Sequence, residues 1–487
     1  MSEIQLTDKQ QSCVDFDHKR DLIVQGVAGS GKSLVVVKRA VKFSKYARAN
    51  GKRVEIAIFT YVKTLVKYTK EILNLGGKEG LEDIHVNTLD SEIRSIYKKL
   101  KPKVNLNNIY DDKKPRECLD KVIETLSVPD SASRQLFISP ERRSWLYDEM
   151  CWILQHMLTN EDQYLACVRK GRGRIQVRRE DRSFIFNIYR RYCNLLEKAR
   201  VKTMDMICVE LYQMRDKITE DMKYDMVLID EAQDLPFNKL MIAQQLSRSS
   251  VTIAADFAQK IYKTGFTWKE IGLDIKGKGS QKLKGTHRNT RQIALLAVGL
   301  SLHNTDEHDE DDITELELPT REGPLPRLVY CDSLNQQESD VVTLVRRILE
   351  GSPKATIGIL ARDSRCTKTY EQWLQKALIP FEKIDNKSEG QVITPGVKLV
   401  TYHSAKGLEF DQVILPMIDD GYFPYTKFEK DRSPEGLEDL MNNSRNLLYV
   451  GMTRARQMLY MFTTDGLGGS PSPLLKELDA DRMEVCR

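Results

Sequence analysis

Gly26-Val27-Ala28-Gly29-Ser30-Gly31-Lys32-Ser33, GVAGSGKS, decides how the rest of the chain is read. Its spacing, G-x-x-x-x-G-K-S, is that of a phosphate-binding loop. The apolar run Leu22-Ile23-Val24 precedes it, and Leu34 to Ala40 can start a helix. This strand–loop–helix context is what the motif requires, because the glycines turn backbone N–H groups toward a polyphosphate and the helix N-terminus adds partial positive charge. Lys32 can reach the β- and γ-phosphates, and the Ser33 hydroxyl can ligate Mg²⁺. A plain glycine-rich turn would account for the glycines but not for the Lys-Ser pair in this setting.

At 487 residues the chain is too long for one core. Charged residues make up 30% and the net charge is only +5, so any nucleic-acid contact must come from local patches rather than a global basic surface. The nine cysteines include no C-x-x-C pair, which argues against a zinc ribbon and fits free thiols in a reducing cytoplasm. The polar stretch Ser2 to Arg20 does not read as a leader, and no apolar run approaches membrane-spanning length.

Val54 to Thr60 and Ile84 to Asn87 read as further buried strands, and Tyr61 to about Leu73 as a helix. Apolar runs alternating with helical segments predict an α/β fold with parallel sheets. From about Ser91 to Val201 the chain turns charged and helix-like, a helical insertion. Its basic cluster, Arg169 to Arg174 with Arg178, Arg179 and Arg182, reads equally as a phosphate-contacting patch or a solvated face. Phe184, Phe186, Tyr189 and Tyr192 read as its core.

Tyr224 to Ile229 runs into Asp230-Glu231-Ala232-Gln233-Asp234. A strand ending in adjacent carboxylates supplies the second half of a P-loop ATPase site: Asp230 to hold Mg²⁺, Glu231 to orient and deprotonate water. Val251 to Asp256 reads as another strand leading to Gln259, which can hold that water or sense the γ-phosphate. Gln10 can present its amide to adenine as donor and acceptor. The acidic stretch Asp306 to Glu317 reads as a solvated loop. A second α/β unit follows without a P-loop. It carries Gly285-Thr286-His287-Arg288-Asn289-Thr290-Arg291, Thr401 to Phe410 (TYHSAKGLEF) and Leu447 to Arg456 (LLYVGMTRAR).

Taken in this order, the motifs resemble the UvrD/Rep family of superfamily-one helicases, from Gln10 to Arg456. The resemblance implies two RecA-like cores with ATP and Mg²⁺ bound between them: residues 1–91 with 202–277, then 278–487, with the insertion at 92–201. It assigns Gln10 and His287 to adenine, Gly26 to Ser33 to phosphate, and Ser33 and Asp230 to the metal. Glu231 becomes the base, Gln259 the γ-phosphate sensor, Arg288 and Arg454 the arginine fingers, and Glu409 a neighbour of the ribose and polyphosphate. Thr60, Tyr61, Thr88, His403 and Ser404 become DNA contacts, and Trp268 a stacking surface, since aromatic stacking is sequence-tolerant. Departures from the family pattern are Leu34, Leu89, His287 and the run Lys263-Thr264-Gly265. The large regulatory helical domain that full-length members carry before the Thr401 motif has no room in this chain, which bears on processive unwinding.

The expected function is therefore ATP-driven translocation on single-stranded DNA with 3′-to-5′ unwinding of tailed duplex. Two alternatives stay open from the residues: an RNA-directed motor, and an ATP-gated DNA-binding module that loads a separately encoded partner such as a nuclease or a repair or defence factor.

Overall fold

The computed structural model describes residues 6–27, 29–75, 81–106, 109, 113–127, 129–169, 175–256, 268–273, 279–283, 285, 288–301, 318–385, 390–426 and 434–487. Its architecture is two parallel sheets, each layered with helices. The first contains β1 (Leu22–Gly26), β2 (Ile56–Thr60), β3 (Ile84–Thr88), β4 (Tyr224–Ile229), β5 (Ser247–Ala255) and β6 (Ser280–Leu283), in the order β3-β2-β4-β5-β1-β6. β1, β2 and the later halves of β4 and β5 are near-continuous apolar runs because both faces are covered. Alternation sends Ile56, Ile58, Met226 and Leu228 into one layer and Ala57, Phe59, Val227 and Ile229 into the other.

The strand order places the site. β4, β5 and β1 are neighbours, so the P-loop after β1, Asp230 after β4 and Asp256 after β5 emerge side by side at the carboxyl edge, where open parallel sheets bind ligands. Thr60 and Thr88 end the two outer strands, β2 and β3. Arg39, fully buried on the helix Lys32–Ala49, donates to Thr252 Oγ1 and to the carbonyls of Cys13, Phe16 and Asp17. It thereby fastens the helix Asp8–Asp15, which carries Gln10, to the sheet.

The second sheet holds β7 (Arg327–Ser333), β8 (Thr356–Ala361), β9 (Phe381–Ile384), β10 (Gly396–Thr401), β11 (Phe410–Leu415), β12 (Ala455–Leu467) and β13 (Glu484–Cys486), in the order β13-β7-β12-β11-β8-β10-β9, all parallel. Only the helix Ser364–Lys376, β9 and residues 385–395 separate β8 from β10.

Two boundaries read from sequence move. Ser280–Leu283 pairs in parallel with β1, so the first core extends past 278. Its four-residue strand is too short and polar to announce itself. The helix Leu89–Leu100 buries Ile93, Ile96 and Tyr97 in the first core's cluster, so the insertion begins beyond residue 100 rather than at 92. The charged face of that helix concealed its apolar stripe.

The insertion builds its own core from helices Lys113–Glu124, Arg143–Gln155 and Arg179–Lys198. Phe186 and Tyr192 are buried in it, and Phe184 and Tyr189 pack against it. Arg169, expected as an even choice between phosphate contact and a solvated face, is neither. It makes a two-pronged pair with the fully buried Glu149, which also accepts from the Tyr164 hydroxyl at 2.7 Å. Arg182 donates to the carbonyls of Tyr164, Leu165 and Cys167, closing the C-terminus of the helix Glu161–Ala166. Residues 170–174 of the basic cluster and the acidic stretch 306–317 lie outside the described residues. Among the described residues no helix is long and apolar enough to cross a membrane.

Replacing Arg169 with Met strands a buried carboxylate, which costs about 3–5 kcal/mol. A clearly lower denaturant midpoint is expected in equilibrium unfolding, and an unchanged midpoint would contradict the anchoring role of the pair.

Candidate nucleotide and nucleic-acid site

The P-loop is held ready by its own residues. Gly31 adopts φ 85°, and a Cβ there would come within 2.4 Å of Gln10 Nε2, so both conformation and space call for glycine. Gln10 closes a capping box with Thr7, accepting from its N–H at 2.9 Å, and donates to the Ser30 carbonyl at 2.9 Å. Lys32 points into the loop: Nζ donates to the carbonyls of Gly26 and Val27 at 2.8 and 2.9 Å and pairs with Asp256 at 3.4 Å. The ammonium is thus kept in the cradle by weak local partners that a phosphate can replace.

Glu231 has φ 54° and ψ 41°, a left-handed turn uncommon for a non-glycine residue. The turn swings its carboxylate back toward the P-loop side, while its N–H donates to Asp230 Oδ1 at 3.0 Å. Gln233 locks the arrangement: Nε2 donates to Glu231 Oε2 at 2.5 Å and Oε1 accepts from the Asp256 N–H at 2.9 Å, tying the ends of β4 and β5 together. Asp230 accepts a hydrogen bond from Ser33. Burial, then the adjacent Glu231 charge, hold Asp230 well above the usual carboxylate range. Burial also opposes the charge on Glu231, but Lys406, Lys32 and Arg454, with the Gln233 hydrogen bond, outweigh it and keep Glu231 below its ordinary value. The pair therefore holds a charged carboxylate, Glu231, beside the oxygens of Ser33 and Asp230. The residues fit Mg²⁺: the oxygens of Ser33 and Asp230 meet, and the raised Asp230 marks negative charge that a divalent cation relieves.

Cations from the second sheet complete the surround. Glu409 and Arg454 each stand one residue before a strand, and β11 pairs with β12 at Phe410–Ala455, which sets the two side by side. Arg454 is fully buried and donates to the carbonyls of Val450 and Leu408 and to Thr453 Oγ1. Burial, then the neighbouring Arg288, lower its pKa to about 10, so it stays cationic. Arg288 Nε donates to Glu409 Oε2 at 2.8 Å. Asn289 donates to the carbonyls of Thr453 and Ala455, binding the segment of one arginine to that of the other. Lys406 forms a buried ion pair with Asp234 of the first core, whose carboxyl burial pushes up to about 6 despite that lysine.

The residues expected along the DNA track fall into different settings. Thr60 is buried and donates to the Val62 carbonyl at 3.1 Å. Thr88 caps the helix Leu89–Leu100, accepting from Ser91 N–H at 3.2 Å. Tyr61 is half-buried against the first core. Ser404 bonds to Thr401 through its N–H and hydroxyl. His403 is exposed, yet the protein packed around its ring, with Arg362 and Lys406, holds its pKa near 4, so it meets solvent as a neutral ring. Ala28, Gln259, His287 and the Trp268 side chain lie outside the described residues.

Sequence reasoning gave no role to Gln233, Asp256, Lys406 or Tyr68. Gln233 and Lys406 sit inside motifs and Asp256 ends an expected strand, so their position was the signal. Tyr68 had none: it is one residue of an ordinary amphipathic helix, but its phenol lies among Glu409, Arg288, Arg456 and Asp230.

Comparison with known proteins shows the family of the chain. Residues 6–266 match the UvrD/REP helicase N-terminal domain and residues 383–466 the UvrD-like helicase C-terminal domain. The chain belongs to the UvrD/REP helicase family. A probable DNA helicase of Mycoplasma pneumoniae is 22% identical over 507 aligned positions, covering 99% of this chain and 88% of that protein. The ATP-dependent DNA helicase PcrA of Bacillus subtilis is 34% identical over 106 residues, 20% of this chain but only 14% of the PcrA length. The C-terminal domain of a possible DNA helicase from Lactobacillus plantarum superposes at a TM-score of 0.30 with 21% identity, covering 42% of this chain and 99% of that domain. At that score the superposition carries no weight.

Lys32→Ala is expected to abolish nucleotide binding in a fluorescent-nucleotide titration. Glu231→Gln is expected to bind ATP with near wild-type affinity but to lose turnover, and retained turnover would refute its assignment as the base.

Proposed function

We propose that the chain hydrolyses ATP between its two cores and uses the motion to advance along single-stranded DNA, unwinding tailed duplex 3′ to 5′. The observation that carries this reading is the charge surround of Glu231: Lys32 comes from its own core, and Lys406 and Arg454 from the other. A base whose ionisation depends on both cores links hydrolysis to their relative position.

In this scheme the P-loop N–H groups and Lys32 bind the phosphates, with Lys32 exchanging the carbonyls of Gly26 and Val27 for phosphate oxygens. Gln233 aims Glu231, whose Oε1 or Oε2 takes the proton of the attacking water. Ser33 and Asp230 would hold Mg²⁺, which when bound would supply neutralisation of phosphate charge. Arg288 and Arg454 stabilise the charge that develops on the transferred group, a contribution worth about 10³–10⁵ in rate in phosphoryl-transfer systems. On the DNA side, Thr60, Tyr61 and Thr88 of the first core and His403 and Ser404 of the second contact one strand. A neutral His403 and an aromatic Tyr61 suit sequence-tolerant contact. Resemblance to the family supports the 3′-to-5′ direction of travel.

Two assays test this. ATP turnover is expected to rise with single-stranded DNA and much less with RNA of the same length. Strand displacement is expected on duplexes with a 3′ tail and not on those with a 5′ tail. Turnover indifferent to DNA, or displacement from 5′ tails, would contradict the reading.

A further inference from the structure

The helix Lys63–Leu75 follows β2 in the first core, yet one stripe of it is committed to the second. Thr64 Oγ1 donates to the Ser404 carbonyl at 3.0 Å. Leu65 packs on Gly407 so closely that a Cβ there would lie 2.7 Å from Leu65 Cδ1. Lys67 Nζ reaches the Asp385 carbonyl at 3.4 Å. Tyr68 packs against the second core's apolar cluster. Glu71 makes the most directional contact: Oε1 accepts from the Val392 N–H at 3.1 Å and Oε2 from the Ile393 N–H at 3.0 Å. Positions 64, 67, 68 and 71 share one helical face.

We propose that this helix is the positioning element for the first arginine finger, with Glu71 as its clasp on the second core and Tyr68 as its contact with the Arg288–Glu409 pair. The proposal rests on the reading of Arg288 as a group that acts on the transferred phosphate. A carboxylate that takes one N–H on each oxygen is charge-assisted and fixes both the rotation and the axial position of the helix against residues 392–393. Tyr68 is one turn away, so slippage at Glu71 shifts Tyr68 against Arg288 and Glu409. The Tyr68 side chain packs against the second core's apolar cluster within electrostatic reach of Arg288 and Glu409. The helix begins just after Thr60 and Tyr61, so the same rigid rod joins the proposed DNA contacts to the finger. Glu71 touches neither phosphate nor DNA in this account. It acts through Arg288.

The test compares full-length wild type, Glu71→Ala, Glu71→Gln, Arg288→Ala and the double variant Glu71→Ala/Arg288→Ala. Steady-state turnover with DNA, affinity for a fluorescent ATP analogue and thermal midpoint are measured for each. Glu71→Ala is expected to lower kcat roughly 10- to 100-fold, the usual effect of a small misplacement, with analogue affinity and midpoint unchanged. Glu71→Gln, which keeps the shape and one acceptor, is expected to fall between Ala and wild type, and it carries the test if the Ala variant does not fold. In the Arg288→Ala background the Glu71 substitution is expected to add less than about twofold, because both act on one unit. Wild-type kcat in both Glu71 variants, or effects that multiply with Arg288→Ala, would overturn the clasp. A wild-type protein without turnover, or an Arg288→Ala variant as fast as wild type, would instead overturn the underlying reading of the site.

Discussion

Asp230 and Glu231 are adjacent carboxylates, both buried. Two such charges persist side by side in a protein interior only where positive charge surrounds them. The first core offers Lys32, and that is not enough: Asp230 is held above its ordinary range even so. The remaining compensation comes from Lys406 and Arg454 of the second core. The two sheets are thus bound to each other by an electrostatic requirement at the centre of the site, with the buried Lys406–Asp234 pair at the seam. Parting the cores would separate the buried Lys406–Asp234 pair that joins them.

Both cores hold their reactive groups in self-made partnerships. Lys32 is kept by the carbonyls of its own loop, Arg288 by Glu409, and Arg454 by Val450, Leu408 and Thr453. Each of these partnerships joins residues of one core. In the proposed scheme a polyphosphate entering between the cores would replace these partners.

Much of this was legible in the sequence because the P-loop and the paired carboxylates sit where apolar strands stop. The P-loop after Leu22–Gly26, the carboxylates after Tyr224–Ile229 and the arginines around Gly285 to Arg291 and Leu447 to Arg456 all announce chemistry through residue types that a buried strand would not tolerate. The α/β class followed from the same runs. What was not legible depends on long-range contact. Arg169 and Arg182 look like their solvated neighbours until Glu149 and the carbonyls of the helix Glu161–Ala166 are brought beside them. The strand Ser280–Leu283 is recognisable only through its pairing with β1. The proposed clasp at Glu71 involves backbone N–H groups, which every residue but proline has, so no residue type could reveal it. Thr60 and Thr88 show the reverse case: residues expected to face DNA also serve a turn and a helix cap, and a hydroxyl's local bonds carry no signature beyond the residue itself.

The central claim is that the first core binds ATP and the second core is needed to cleave it. Single-turnover hydrolysis of prebound ATP by Arg288→Ala and by Arg454→Ala, alongside equilibrium binding of the same nucleotide, tests it most directly. The account predicts near wild-type binding with hydrolysis slowed by about 10³-fold or more in each variant. Hydrolysis within about tenfold of wild type in both, with binding intact, would contradict the division of the site between the two cores.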